Sequence, residues 1–177
     1  MKLLGTIIRD DLSWNANTES IVKKVNSRIQ LLRKCLKFGA TKEEMKTLWI
    51  SYCRSILEQS SVVWDSSLTQ ENIQDLERTQ KSFCKMILKD KYKSYVNSLD
   101  ILNLQSLSER RKVLSLKFAK DAIKNENMKQ YFQSNKTTHD MMKRNQEKYH
   151  VNYAKTKRLQ NSAIINMQQL LNEDSAT

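Results

Sequence analysis

The chain contains no proline, and its only glycines are Gly5 and Gly39. A fold built from strands needs turn residues every few positions, and this sequence lacks them. Helices joined by polar connectors have no such need. Lys, Glu, Gln and Leu, all good helix formers, dominate the composition. The expected fold class is therefore mainly α. With 177 residues and 39% hydrophobic content, the chain suits one domain, or one domain with an extension whose core does not run throughout.

The densest apolar patterning lies between Met45 and Leu88. Met45, Leu48, Trp49, Tyr52, Cys53, Ile56 and Leu57 recur at three- and four-residue spacing, which marks one helical face. Ile73, Leu76, Phe83, Cys84 and Ile87 mark a second, with Gln80 in its middle. The connector holds Val62, Val63 and Trp64, so the two helices are expected to fold back on each other with Trp64 closing the end of the pair.

Upstream, Lys2–Ile8 reads as one short strand without a partner elsewhere in the chain. Asp10 and Asp11 read as a polar turn before a helix. That helix carries Ile21, Val25, Ile29, Leu32 and Leu36 on its buried face, with Thr18 or a polar neighbour as cap and Gly39 as terminator. Thr41 with Glu44 forms a capping box for the next helix, and Thr69 caps the one after. Three such helices make a small bundle. Tyr92, Tyr95, Leu99, Leu102 and Leu104 are expected to lid it. Ser106 with Glu109 opens a further helix to about Lys124, with Leu107, Leu114, Phe118 and Ala122 on its apolar line. Arg111 falls on that line, so Arg110 or Arg111 either pairs with Glu77 or Asp75 or meets phosphate. Residues 133–153 read as a flexible basic linker, and Thr156–Asn172 as a last amphipathic helix.

The net charge is +12, with the excess in residues 1–60 and 101–177 and none in 61–100. Such a chain favours polyanionic partners, nucleic acid first. Cys35, Cys53 and Cys84 form no Cys-x-x-Cys pair, and they read as reduced thiols of an intracellular protein, nuclear or cytoplasmic and not secreted. His139 and His150 lack partners at metal spacing, so neither a metal site nor a cofactor is expected. No apolar run reaches the roughly 20 residues of a membrane span, so no membrane partner is expected.

Tyr52, Arg54-Ser55, Leu57-Glu58, Val63-Trp64, Leu76-Glu77 and Gln80 follow one another at a telling spacing. The series resembles the C-terminal region of reverse transcriptases from non-LTR retrotransposons of the jockey-like kind, where Arg-Ser, Leu-Glu, Val-Trp and Leu-Glu-x-x-Gln recur in that order. Before it, Leu4-Gly5, Asp10 and Leu12-Ser13-Trp14 are similar to the segment after the family's catalytic sheet. Asn17 stands where relatives often have histidine. After it, Tyr95, Leu99, Leu102, Leu104 and Arg110-Arg111 resemble a pattern near the family's C-terminus.

The resemblance implies an end-of-palm strand (1–12), a thumb-like helical bundle (13–105), additional helices (106–132), and a partly disordered C-terminal extension of basic linker and amphipathic helix (133–177). It implies that the metal-binding aspartates and the palm and fingers lie upstream and are missing here, so that no catalysis is expected. Binding of an RNA–DNA duplex without sequence preference is the implied role. The candidate contacts are Lys23, Lys24, Arg28, Arg33 and Lys34 on the first helix, with Arg110. Trp14, Arg54, Trp64, Leu76, Glu77, Gln80 and Arg111 are the motif residues expected to support the fold. The alternative is a free-standing helical adaptor that docks on a protein through Leu159, Met167 and Leu170.

Overall fold

The structure of the protein, a computed structural model, describes residues 1–135 and 148–176. The chain is mainly helical and divides into two compact units. One comprises Met1–Ser61 with Leu68–Arg111, the other Val62–Ser67 with Lys112–Thr177. This division does not follow the sequence boundaries at residues 12, 105 and 132.

The first unit opens with a hairpin rather than a single unpartnered strand. β1 (Lys2–Leu3) pairs antiparallel with β2 (Thr6–Ile7), Lys2 opposite Ile7 and Leu3 opposite Thr6. Leu4 and Gly5 make the turn with φ of 46° and 88°. Two positive φ values in a two-residue loop match the right-handed twist of paired strands, and Gly5 supplies one without steric cost. The Gln59 amide donates to the Leu4 carbonyl at 3.0 Å, and Asn17 Oδ1 accepts the Ile7 N–H at 3.0 Å.

Helix α1 (Asn15–Lys37) buries Ile21, Val25, Ile29 and Leu32. Its N-cap is Trp14, which makes no side-chain cap. Thr18, expected as a cap, lies inside the first turn and is buried, with its N–H on the Trp14 carbonyl. At the other end Ala40 N–H reaches Cys35 O and Gly39 N–H reaches Leu36 O, both at 3.2 Å. This is a Schellman motif, with Gly39 at φ 92° in the left-handed position.

Helix α2 (Lys42–Leu48) starts at the Thr41–Glu44 capping box and runs without a break through a π-helical stretch, Trp49–Arg54, into α3 (Ser55–Glu58). Met45, Trp49, Cys53 and Leu57 are all fully buried, at a strict spacing of four. In a pure α-helix four residues advance about 400°, so such a stripe drifts about 40° per step. The wider i→i+5 turns take up that drift. Tyr52, expected on the apolar face, therefore points outward, and Leu48 and Ile56 are half-buried.

Helix α5 (Gln70–Leu88) is capped by Thr69, whose hydroxyl accepts the Asn72 N–H at 3.2 Å. It buries Leu76, Phe83, Cys84 and Ile87, together with Thr79 and Gln80. Phe83 stacks on Trp49 with ring centroids 4.5 Å apart. The Asn72 amide donates to Asn15 Oδ1 at 2.9 Å, which ties the starts of α1 and α5 together. The last turns of the same two helices line one groove, so α1 and α5 run parallel. Helix α6 (Tyr95–Leu102) packs on α5 and stops at Asn103, another left-handed residue.

In the second unit, Trp64, at the end of α4 (Ser61–Trp64), is fully buried. Trp64 thus belongs to this unit rather than closing the Met45–Leu88 pair. Val62 packs against a core of Ala119, Ala122, Phe132, Met167 and Leu171. Ser66 and Ser67 donate to the Asn161 carbonyl at 2.8 and 2.6 Å. Helix α7 (Leu107–Lys124) opens with the Ser106–Glu109 box, and its first turn belongs to the first unit. Its most buried line is Leu107, Arg111, Ser115, Ala119 and Ala122, and Phe118, expected on that line, is 37% exposed.

The expected terminal helix is two: α8 (Lys157–Gln160), capped by Thr156, and α9 (Ala163–Ala176). The strand-like segment before them is held by amide side chains of α9. Asn172 accepts from Tyr149 N–H at 2.8 Å and donates to Tyr149 O at 3.0 Å, and buried Gln168 accepts from Asn152 N–H at 3.3 Å. Most of the linker expected at 133–153 lies outside the described residues, as does His139. Its described ends meet at a bridge between Ser134 and Tyr149.

Candidate nucleic-acid interface

The six candidate contacts separate into two kinds. Lys23, Lys24, Arg33 and Lys34 are exposed on α1. Arg28 and Arg110 are engaged by the protein itself. The Arg28 guanidinium lies 3.9 Å above the centre of the Tyr52 ring and donates to the Tyr52 carbonyl. The outward-facing Tyr52 of the π-helical stretch thus provides both a stacking face and an acceptor.

Arg110 makes a two-point ion pair with Glu58, Nε to Oε1 at 2.6 Å and an η nitrogen to Oε2 at 3.2 Å. The expected partners were Glu77 or Asp75. Glu77 instead accepts the Tyr95 hydroxyl and the Ser108 N–H, and Asp75 pairs with Arg78. Arg54 Nε lies 3.4 Å from the same Glu58 oxygen. One carboxylate therefore holds two guanidinium groups. The hydrogen bond to Glu58 raises the pKa of Arg110. That of Arg54 is lowered, by burial first and then by the charge of Arg110, against the opposing pull of Glu58.

The helical wheel orders the exposed cations. At 100° per residue, Lys23 and Lys34 lie within about 20° of each other and opposite the buried stripe. Lys24 and Arg33 fall on opposite flanks, about 180° apart. Lys23 and Lys34 form a ridge, roughly 16 Å apart along the axis, with Lys24 and Arg33 at its two sides. Lys37 lies between the ridge and Arg33, about 60° from Lys34. Lys85 and Lys89, from α5, border the groove beside Arg33 and Lys37. Sequence reasoning omitted them because nothing local says that α5 lies parallel to α1.

Several motif residues form the interior of the same unit, while Trp64 is buried in the other. Leu57, Leu76, Gln80 and Arg111 are fully buried. The Gln80 amide donates to Gln105 O at 2.8 Å and to the Tyr95 hydroxyl at 3.1 Å. Tyr95 in turn donates to Glu77, and its pKa is pushed up by burial and then by that carboxylate. Trp14 is half-buried at the start of α1. Burial raises the Cys53 thiol to about 11 and the Cys84 thiol to about 12.

No three metal-ligating side chains cluster among the described residues. Asp11 accepts the Ser13 N–H and lies 3.3 Å from Arg9, and Asp10 accepts the Asp11 N–H. His150 is exposed, with its backbone N–H on the Gln133 carbonyl. Among the described residues no helix is long and apolar enough to cross a membrane. Of the three adaptor anchors, Met167 and Leu170 are buried in the second unit, and Leu159 is 48% exposed. Compared with protein-family models, curated proteins and solved structures, the chain matches none of them.

Proposed function

We propose that the chain is the thumb-like C-terminal region of a non-LTR retrotransposon reverse transcriptase, and that it grips RNA–DNA duplex without reading sequence. In this reading catalysis belongs to upstream palm and fingers, and this region contributes backbone contacts alone. The supporting observation is a convergence. Most residues that carry the resemblance, among them Arg54, Glu58, Glu77, Gln80 and Arg110, meet in one unit through ion pairs and hydrogen bonds, while Trp64 lies in the other. The opposite face of α1 in that unit presents Lys23 and Lys34 to solvent, flanked by Lys24 and Arg33.

Phosphate contacts position a protein on a duplex and carry no sequence information. The test is fluorescence anisotropy with RNA–DNA duplexes of unrelated sequence. The full chain is expected to bind them equally. Replacing Lys23, Lys24, Arg33 and Lys34 together by Gln is expected to weaken binding at least tenfold with an unchanged circular dichroism spectrum. Wild-type-like affinity in that variant, or no binding by the wild type at low salt, contradicts the proposal.

A further inference from the structure

The parallel arrangement of α1 and α5 brings their last turns side by side, and the groove between them has a distinctive lining. Arg33 and Lys37 come from α1, and Lys85 and Lys89 from the end of α5. All four are exposed, and among the described residues no acidic one lines the groove. Among the described residues none of the four takes part in an ion pair. Arg33 donates to Gln30, and the Lys85 ammonium lies 5.4 Å from the centre of the Tyr92 ring. The floor is apolar, made by half-buried Leu36 and Met86.

Cations in the last turn of a helix offset its dipole. Lys34 and Lys37 on α1 and Lys85 on α5 already meet that need. Arg33 and Lys89 add charge at the same place beyond it. Phosphates need cations but no apolar floor. A floor of Leu36 and Met86 inside a ring of four positive charges suits a ligand that carries both carboxylates and a large apolar side chain. Methionine adapts its shape to such a side chain, and long basic stems extend the apolar wall while their heads reach carboxylates.

We propose that the groove between the C-terminal turns of α1 and α5 is a docking site for an acidic peptide segment of a protein partner, anchored by one large apolar residue. The carboxylates face Arg33, Lys37, Lys85 and Lys89, and the anchor rests on Leu36 and Met86. The site borders the Lys23–Lys34 ridge and shares Arg33 with the proposed duplex contacts, while Lys85 and Lys89 belong to the groove alone.

The probe is a fluorescein-labelled peptide of glutamates with one central phenylalanine, titrated with the full chain. Lys85→Gln with Lys89→Gln is expected to weaken binding about fivefold, two partly screened charge contacts at a few tenths to one kcal/mol each. Replacing the phenylalanine of the probe by glycine is expected to weaken it about tenfold. Lys23→Gln with Lys24→Gln, outside the groove, leaves it unchanged. All these substitutions are on exposed side chains, so circular dichroism is expected to match the wild type. Absence of peptide binding overturns the proposal, as does equal binding of the phenylalanine and glycine probes. If Lys85→Gln with Lys89→Gln weakens an RNA–DNA duplex and leaves the peptide untouched, the groove is a phosphate-backbone site instead.

Discussion

Glu58 is the point at which the first unit is most exposed to a single substitution. Its carboxylate meets Arg110 at 2.6 Å and Arg54 at 3.4 Å. Side-chain exposure is 16% for Glu58 and Arg54 and 25% for Arg110, so the cluster is neither dry nor fully solvated. Changing Glu58 to Gln keeps the shape and removes the charge. At an effective dielectric of about 20, each contact is worth about 4 kcal/mol of Coulomb attraction before desolvation. Truncating one partner of a fully buried pair costs about 3–5 kcal/mol, and of an exposed pair under about 1. At this exposure we expect about 2–3 kcal/mol, including the repulsion between two arginines left facing each other. For a unit of this size that lowers the melting temperature by roughly 10–20 °C.

Thermal unfolding followed at 222 nm, together with urea midpoints at pH 7, measures it. Combining Glu58→Gln with Arg110→Met should recover about 1–2 kcal/mol relative to additivity, because the second change removes one of the stranded cations. A loss below about 0.5 kcal/mol for Glu58→Gln, a value typical of exposed pairs, would refute the reasoning and make the triad a surface ornament.

Three further outcomes follow from burial and backbone geometry. Cys35 is half-exposed and should react with a thiol reagent in the native protein, whereas buried Cys53 and Cys84 should react only after unfolding. Their raised pKa values, about 11 and about 12 against an ordinary 9.0, fix the sign of an alkaline effect: stability is full below pH 9 and falls as pH climbs through 11 to 12. Urea midpoints at rising pH, compared with a Cys53→Ala, Cys84→Ala variant, measure it. Gly39→Ala meets open space but sits at φ 92°, so it should cost about 1 kcal/mol through the backbone alone.

The parts of the fold that sequence revealed are local. The Thr41–Glu44 and Ser106–Glu109 boxes, the Thr69 cap and the Gly39 terminator each depend on residues a turn apart, and each forms as read. The parts it concealed depend on distance or on helix pitch. Tyr52 faces outward because the helix is underwound between Trp49 and Arg54, and three- and four-residue spacing alone does not reveal that. The partner of Arg110, Glu58, lies 52 positions away, and the pattern pointed instead to Asp75 or Glu77. The strand expected over Lys2–Ile8 pairs with itself as a hairpin, because Leu4-Gly5 is a two-residue turn. Of the candidate contacts, Lys23, Lys24, Arg33 and Lys34 stayed at the surface. Arg28 and Arg110 are instead engaged by the protein itself, because planar guanidinium groups are the cations best suited to stacking and forked pairing.

The most direct test of the duplex-gripping account is the salt dependence of binding. Each phosphate contact contributes about 0.9 to the slope of log K against log salt. Two contacts along the Lys23–Lys34 ridge predict a loss of about 12-fold between 50 and 200 mM salt, and a third from Lys24 or Arg33 raises it to about 40-fold. The account predicts a loss within that range on an RNA–DNA duplex, shrinking toward none in the variant with all four cations replaced by Gln. A binding curve that stays flat over the same salt range would contradict it.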